Sequence, residues 1–554
     1  MSTRRTVVPL TSSNSINRRT RFELAMSRFV RASKYRHVFG QAAKKEHGIE
    51  NVRLTSSAWD TNLCSASAKY ISVNYQVGGG GAFAILPLPG TDLSANIPYR
   101  LPDVFPLARG HTAPVLDTDW SPFDDNIVVS GGEDGKILVW KVEGNEFEGW
   151  GAEKWVPQDF EPVSRIAGSA RKIGQVMFHP TASQVLASAT GDHTVKLWDL
   201  ANPEDPRSTL VGHGDTIQSI AFNSTGTLLA TTSRDRKLRI FDPRTGGEAV
   251  RVGEGHGGIK GARIAWMGDM DKIATTGFSR MSDRQVSVWD TSSLENEKTI
   301  NIDQSAGVLM PFWSDNGILF LAGKGDGNIR CYEYDSDSLY ALSDYTSTNP
   351  QRGMCFLPRR ALNVSECEIA RAYKVYGTSV EPISFIVPRK SDSFQADIFP
   401  PAPSSEPALS ASEFFNGKTA PRNLVDLDSG SISTGAAPTT LHHQQTPHKS
   451  ATAPASLSAP IPEPIAIVKA PENMEIPPTP AATTTEHESR APPSPPAQEI
   501  IPSFSITDNS HSDLKDENER LTKELREANA LVRNLELQVE TLKVNANKAR
   551  QLLS

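Results

Sequence analysis

Residues 134–140 read Asp-Gly-Lys-Ile-Leu-Val-Trp, an acidic turn that leads into an apolar strand closed by a large aromatic ring. The same register, an aspartate six residues ahead of an aromatic, joins Asp192 to Trp198, Asp235 to Phe241, Asp283 to Trp289 and Asp326 to Tyr332. Gly-His pairs open several of these units, at Gly110-His111, Gly212-His213 and Gly255-His256. Trp-Asp or a relative closes three, at Trp198-Asp199, Phe241-Asp242 and Trp289-Asp290. The repeated unit is ~45 residues long, the size of one propeller blade.

The register has a structural logic. An aspartate in a tight turn accepts backbone N–H bonds before the third strand of a blade. The Gly-His histidine is expected to bond that aspartate, and the aromatic to fill the space between blades. A single His-Asp pair would suggest a catalytic dyad, but a catalytic pair is needed once and a structural tie in every blade. Two less regular units flank the five. Residues 55–90 hold Trp59-Asp60, YISVNY and GGAFAILPL, with Gly78 to Gly81 as the turn, and residues 353–388 hold GMCFLP, IARAYKV and PISFIVP. Seven units close a ring and remove exposed sheet edges. The expectation is an all-β, seven-bladed propeller over residues 26–390, with the segment near Tyr35-Arg36-His37-Val38-Phe39 supplying a strand to the last blade.

The chain has 554 residues and a formal net charge of −7, too mild to choose a partner. Residues 1–53 hold twelve Arg or Lys against Glu23, Glu46 and Glu50, a basic segment suited to acidic proteins, nucleic acid or anionic membranes alike. Residues 1–25, rich in Arg, Ser and Thr, read either as a mitochondrial presequence or, our preferred reading, as a disordered extension ahead of Met26. Cys64, Cys331, Cys355 and Cys367 show no paired spacing, so neither a zinc site nor a disulfide framework follows. No apolar run approaches the ~20 residues of a membrane helix. A soluble intracellular protein is expected.

Composition shifts after residue 400. About half of the 39 prolines fall between residues 401 and 510, without Trp or Tyr. That predicts a disordered linker over 421–510. Arg490-Ala491-Pro492-Pro493-Ser494-Pro495-Pro496 matches the basic-x-x-Pro-x-x-Pro pattern read by Src-homology-3 domains. From 511 to 554 apolar or small residues recur in steps of four and three, through Leu514, Leu521, Leu525, Ala528, Val532, Leu535, Val539 and Leu542, with Asn518 the polar exception. This is the seam of a coiled coil, and its residue types favour a parallel dimer.

At residues 33–40 the chain reads SKYRHVFG, then VRLTSSAWD at 52–60, GGGGAFAILPL at 78–88 and GHTAPVLD at 110–117. TTGFSRMSDRQVSVWDT follows at 275–291, KGDGNIR at 324–330 and VPRKSDSFQADIFPP at 387–401. In these segments the chain resembles the coronins, WD-repeat proteins of the actin cytoskeleton, and most closely the short fungal type. TTGFSRMSDRQ marks that family, since blade geometry does not require it. The resemblance implies binding of filamentous actin, and a segment at 391–420 packed on the propeller. It also implies work alongside the actin-related-protein branching complex and cofilin, in the cytoplasm at cortical actin patches. The family's contact arginine falls on Arg53. Charge and blade-edge position add Lys34, Arg36, Arg236 and Lys237.

The chain departs from the pattern in three places. Phe414-Phe415 stands where many relatives have tryptophan. Leu531 occupies the position where a trimer-type coiled coil needs arginine. No tryptophan follows Trp313, so the linker lacks the acidic, tryptophan-bearing tail of nucleation promoters. No phosphate loop, HExxH, GxSxG or paired-cysteine site is present. The sequence therefore predicts no catalytic residue, no metal, no cofactor and no nucleic-acid partner. A second reading is a WD-repeat scaffold in vesicle traffic that does not bind actin.

Overall fold

The computed structural model of the chain describes residues 31–435, apart from 59, 60, 90, 92, 93, 95, 96, 151, 153, 154, 391 and 392, together with residues 520 and 523. Residues 1–25, Trp59-Asp60, the proline motif at 490–496 and the seam residues Leu514, Leu521, Leu525, Val532, Leu535, Val539 and Leu542 lie outside the described residues.

Seven antiparallel sheets of four or five strands follow one another among the described residues. The second runs outward from Val115–Trp120 through Ile127–Gly132 and Lys136–Lys141 to Pro162–Ala167. Its neighbours repeat that plan. Their inner strands are Cys64–Ala66, Ile173–Phe178, Ile217–Phe222, Arg263–Trp266, Leu309–Ser314 and Gly353–Phe356. Burial explains the composition of each strand. Tyr70–Tyr75, Val185–Thr190 and Ile318–Gly323 are buried at every residue because a blade covers each face, so they hold no charged residue and are apolar apart from Ser72, Asn74, Ser188 and Thr190. The outer strand Asn296–Asp303 is largely exposed and reads Asn-Glu-Lys-Thr-Ile-Asn-Ile-Asp.

The ring closes at the seventh sheet. Met354 N donates to Asn62 O at 3.0 Å, which joins its inner strand to the first blade. On the other side the Phe312 and Phe356 rings stand 4.9 Å apart. Phe39–Ala42 pairs with Ser379–Ile386 as the outermost strand, the N-terminal contribution expected from sequence, and Ile49–Glu50 joins the same strand further along. The closing aromatics sit between blades as predicted: Trp140 meets Phe83 of the first blade edge-on, with ring centroids 5.4 Å apart.

Past the last blade, Ala402–Pro403, Asn423–Val425 and Ile432–Thr434 form a small sheet. Between its first two strands lies the helix Ala411–Phe415. Ser410 caps it and Glu413 returns the bond, a capping box that supports a helix of a single turn or so. The helix delivers Phe414, fully buried, onto His179 with ring centroids 4.2 Å apart. His179 is fixed in turn: a ring nitrogen reaches Gly226 O at 3.1 Å, and Ala182 N donates to the other at 2.9 Å. Burial pushes this imidazole down to about 3, so it is neutral. Gly226 has φ +71°, and a Cβ there would stand 1.9 Å from the ring, so only glycine fits. Phe414→Ala is expected to remove the main anchor of the extension, at a cost of ~3–5 kcal/mol. Limited proteolysis checks this: cleavage within 404–420 accelerates in the variant, and an unchanged rate contradicts the anchoring role.

Candidate functional site

Turns between the second and third strands of each blade gather at one end of the ring, together with the links that enter the next inner strand. Arg53 belongs to that end. Its carbonyl accepts from Gln76 N at 2.7 Å, just beyond the second strand of the first blade. Its guanidinium is 58% exposed and stands 3.6 Å from the exposed Asp103, a loose pair. Arg236 and Lys237 lie at the same end, in the turn that follows Asp235 in the fourth blade, where Arg236 has φ 65°. Lys34 and Arg36 do not. Lys34 donates to the Asp397 carbonyl and Arg36 to that of Arg31. Arg31 pairs with Glu333 and Asp335, at the turn between the third and fourth strands of the sixth blade, and so at the opposite end. The structure divides the five predicted cations into two groups.

The end that bears Arg53 is more basic than those residues suggested. Exposed Arg171, Lys172, Arg234, Lys260 and Arg280 share it, with Glu133, Asp192 and Glu254 interspersed. The signal was present in the sequence as cations beside the repeated aspartates, such as Arg234 and Arg236 around Asp235.

The ties of the register correct one expectation. His111 bonds Asp134 at 2.9 Å and Ser130 Oγ at 2.8 Å, and Trp140 donates to the same hydroxyl at 2.9 Å. Burial pushes Asp134 up, but bonds from His111 and from the N–H groups of Thr112 and Lys136 outweigh it and hold the carboxyl at about 2. His213 and His256 do not bond Asp235 and Asp283. His213 takes Thr231 Oγ1 at 2.9 Å and the His193 carbonyl at 3.1 Å, because Arg239 forks onto Asp235 in its place. His256 takes Thr275 Oγ1 at 2.9 Å, a hydroxyl it shares with Trp289. Asp283 turns instead to Ser279 at 2.9 Å and Gln304 at 3.1 Å. Asp192 is held by Thr194 at 3.0 Å and by Ser169 at 3.2 Å. Trp198 donates to Ser188 at 2.9 Å, and Phe241 packs beside His213 with centroids 5.2 Å apart.

Arg284 was missed, although it lies in the TTGFSRMSDRQ segment. It is 1% exposed, forks onto Asp303 at 2.6 Å through two nitrogens, and reaches Asp326 at 2.7 Å. Arg330 completes the cluster on Asp303 at 2.7 Å. The aspartate of the sixth unit is therefore tied by an arginine from the fifth blade.

Asp117 and Asp119 lie deep in the ring, on an inner strand. Each accepts a backbone N–H of the next blade, Val176 at 3.1 Å and Phe178 at 2.8 Å. Burial pushes both carboxyls up to about 7, against the lowering effect of those bonds. A carboxyl raised on folding contributes stability below its unfolded value near 4, and that stability is lost as pH rises toward 7. Asp119→Asn keeps the acceptor and removes the titration. The urea midpoint of the variant should gain on that of the native chain as pH rises from 5 to 8. A constant difference between the two would contradict the assignment.

Among the described residues no cluster of His, Cys, Asp or Glu could hold a metal ion, and no helix is long and apolar enough to cross a membrane. All four cysteines are free and buried.

Comparison with known proteins bears on the whole of this architecture. The WD domain, G-beta repeat family matches residues 104–141, 160–199 and 204–242, and a further type of WD40 repeat matches 380–422. A domain of unknown function, DUF1899, matches 28–92. The chain is 50% identical over 405 residues to the coronin-like protein crn1 of Schizosaccharomyces pombe, covering 72% of this chain and 65% of that one. It is 45% identical to the coronin-like protein of Saccharomyces cerevisiae, over 77% of this chain and 64% of that one, so the match spans slightly less than two thirds of either fungal relative. Human coronin-2A is 39% identical, over 72% of this chain and 75% of its own. The crystal structure of the WD40 domain of Toxoplasma gondii coronin superposes with a TM-score of 0.63 at 30% identity, covering 70% of this chain and 97% of that one. An all-β propeller of WD repeats, with this degree of likeness across its length, belongs to the coronin family.

Proposed function

We propose that this chain binds filamentous actin through the propeller end that carries Arg53, and that it acts by binding and not by catalysis. The observation that carries the reading is Arg53 itself, exposed and loosely paired amid a basic end of a coronin propeller. An acidic filament surface complements such an end, and charge complementarity steers association as well as holding it. Pelleting of the full-length chain with actin filaments tests the reading. Saturable pelleting supports it. A chain that stays in the supernatant but binds vesicles favours the vesicle-traffic scaffold.

The remaining parts of the proposal follow from the sequence. Residues 26–390 form the filament-binding propeller, 391–420 pack on it, 421–510 link it and 511–554 oligomerise it. The ~42-residue coiled coil makes a rod of ~60 Å. Joining two propellers raises apparent filament affinity by ~10²–10⁴ when both can engage. Bundling, placement at cortical actin patches, and regulation of branched nucleation and turnover with the branching complex and cofilin then depend on the rod and linker. The 490–496 motif recruits a Src-homology-3 protein. Light scattering of the full-length chain should give a dimer and a chain truncated at residue 500 a monomer. A monomeric full-length chain at micromolar concentration contradicts the rod.

A further inference from the structure

At the end of the propeller opposite Arg53, a cavity of about 420 Å³ lies on the ring axis. Its wall is made by residues at or just beyond the ends of the seven inner strands, and by Pro403 and Arg422 of the extension. Ligand sites commonly span ~300–1,000 Å³, so the size is that of a binding site and not of a packing defect. Trp120, Phe222, Trp266 and Trp313 give it an aromatic lining.

The polar side of the wall is unbalanced toward donors. Two of its buried N–H groups, Arg359 Nε and Trp313 Nε1, meet no acceptor within the protein, while the other Arg359 nitrogens donate to the carbonyls of Pro400 at 2.7 Å and Pro401 at 3.3 Å. Such orphans are rare in folded proteins because each forfeits its hydration without return. Asp315 does not supply the missing acceptor. Its carboxylate stands 3.7 Å from Arg359 and 3.6 Å from Arg422, beyond hydrogen-bond length, and is shared by both cations. Arg360 is already matched by Asp125 at 2.6 Å, and the nearest acid to Arg422 is the exposed Asp269 at 3.2 Å. With Asp269 counted, the three arginines face three carboxylates and the wall is close to neutral, so what it lacks is an acceptor for the two N–H groups and not a large counter-charge. One carboxylate would supply that acceptor, whereas a polyphosphate would bring several charges that the wall cannot match.

We propose that this axial mouth binds a short peptide segment of a partner protein, with a single carboxylate beside apolar or aromatic residues. The carboxylate takes the N–H groups of Arg359 and Trp313, and its neighbours lie against Trp120 and Trp266. The site is separate from the Arg53 end, so the proposal does not rest on actin binding.

The test uses the full-length chain and labelled hexapeptides in which one Glu stands among Leu, Phe and Trp, followed by fluorescence anisotropy. Saturable binding is expected, about tenfold weaker for the matching Gln peptides. Trp313→Phe keeps a ring and loses the N–H. It should weaken binding about tenfold while the thermal melt and filament pelleting stay unchanged, and Arg359→Lys should act in the same direction. Absence of saturation by any Glu peptide overturns the proposal, as does equal binding of Glu and Gln peptides or undiminished binding to Trp313→Phe. Saturation by inositol hexakisphosphate in place of the peptides would assign the mouth to a free polyanion and overturn it too. Loss of pelleting in the native chain would speak against the actin reading alone.

Discussion

Arg53→Asp is expected to remove most of the filament binding while leaving the melting temperature of the propeller unchanged. The guanidinium is 58% exposed and its nearest acid, Asp103, is 77% exposed at 3.6 Å. An ion pair so solvated contributes at most ~1 kcal/mol to stability, so the fold should survive its loss. On a filament the same group can fork onto a carboxylate, and reversing its charge turns attraction into repulsion. A loss of ~2–5 kcal/mol, at least thirtyfold in affinity, is expected if the contact is desolvated. Lys34→Asp and Arg36→Asp act as controls, because both residues lie at the other end of the ring and donate to backbone carbonyls there. The measurement is co-sedimentation of all three variants beside their thermal melts. Unchanged pelleting of Arg53→Asp removes this residue from the contact, and a melt lowered by many degrees would make it a tie within the propeller.

The second large effect is on stability. Arg284→Ala should cost ~3–5 kcal/mol, because it strands two carboxylates that are already largely withdrawn from water. Asp326 and Asp303 keep side-chain exposures of only 11% and 27%, and Arg284 bonds both. Hydrogen bonds from Arg284 hold Asp303 below the usual carboxylate range against the opposing effect of burial. Arg284→Lys should recover little, since an ammonium cannot fork onto Asp303 and reach Asp326 together. Urea unfolding of both variants checks this. A midpoint within experimental error of the native chain would show that Arg330 suffices for the cluster.

The propeller was legible in the sequence because its register is repeated: an aspartate turn, an apolar strand and an aromatic occur at one spacing in five units. The N-terminal strand was legible too: the segment near Tyr35 to Phe39 was expected to complete the last blade, and Phe39–Ala42 does so. The pairing of individual histidines was not. His213 and His256 carry the same local signal as His111, yet Arg239 and the longer Ser279–Asp283 turn claim the aspartates first. Such competition is decided by side chains that pass between strands, and periodicity does not report it. Arg284 escaped for a related reason: its partner Asp326 lies in the next blade, 42 residues on. The clustering of Lys172, Arg234, Lys260 and Arg280 with Arg53 at one end required the ring order of the blades. The docking of Phe414 on His179 likewise joins residues more than two hundred positions apart, and nothing in either segment names the other.

Electron cryomicroscopy of actin filaments decorated with the full-length chain tests the central claim most directly. The account predicts density for one propeller per binding site, with the Arg53 end and the turns of Arg236 and Lys260 against the filament and the axial mouth of Arg359 facing solvent. Decoration through the opposite end, with Lys34 and Arg36 at the contact, would contradict it.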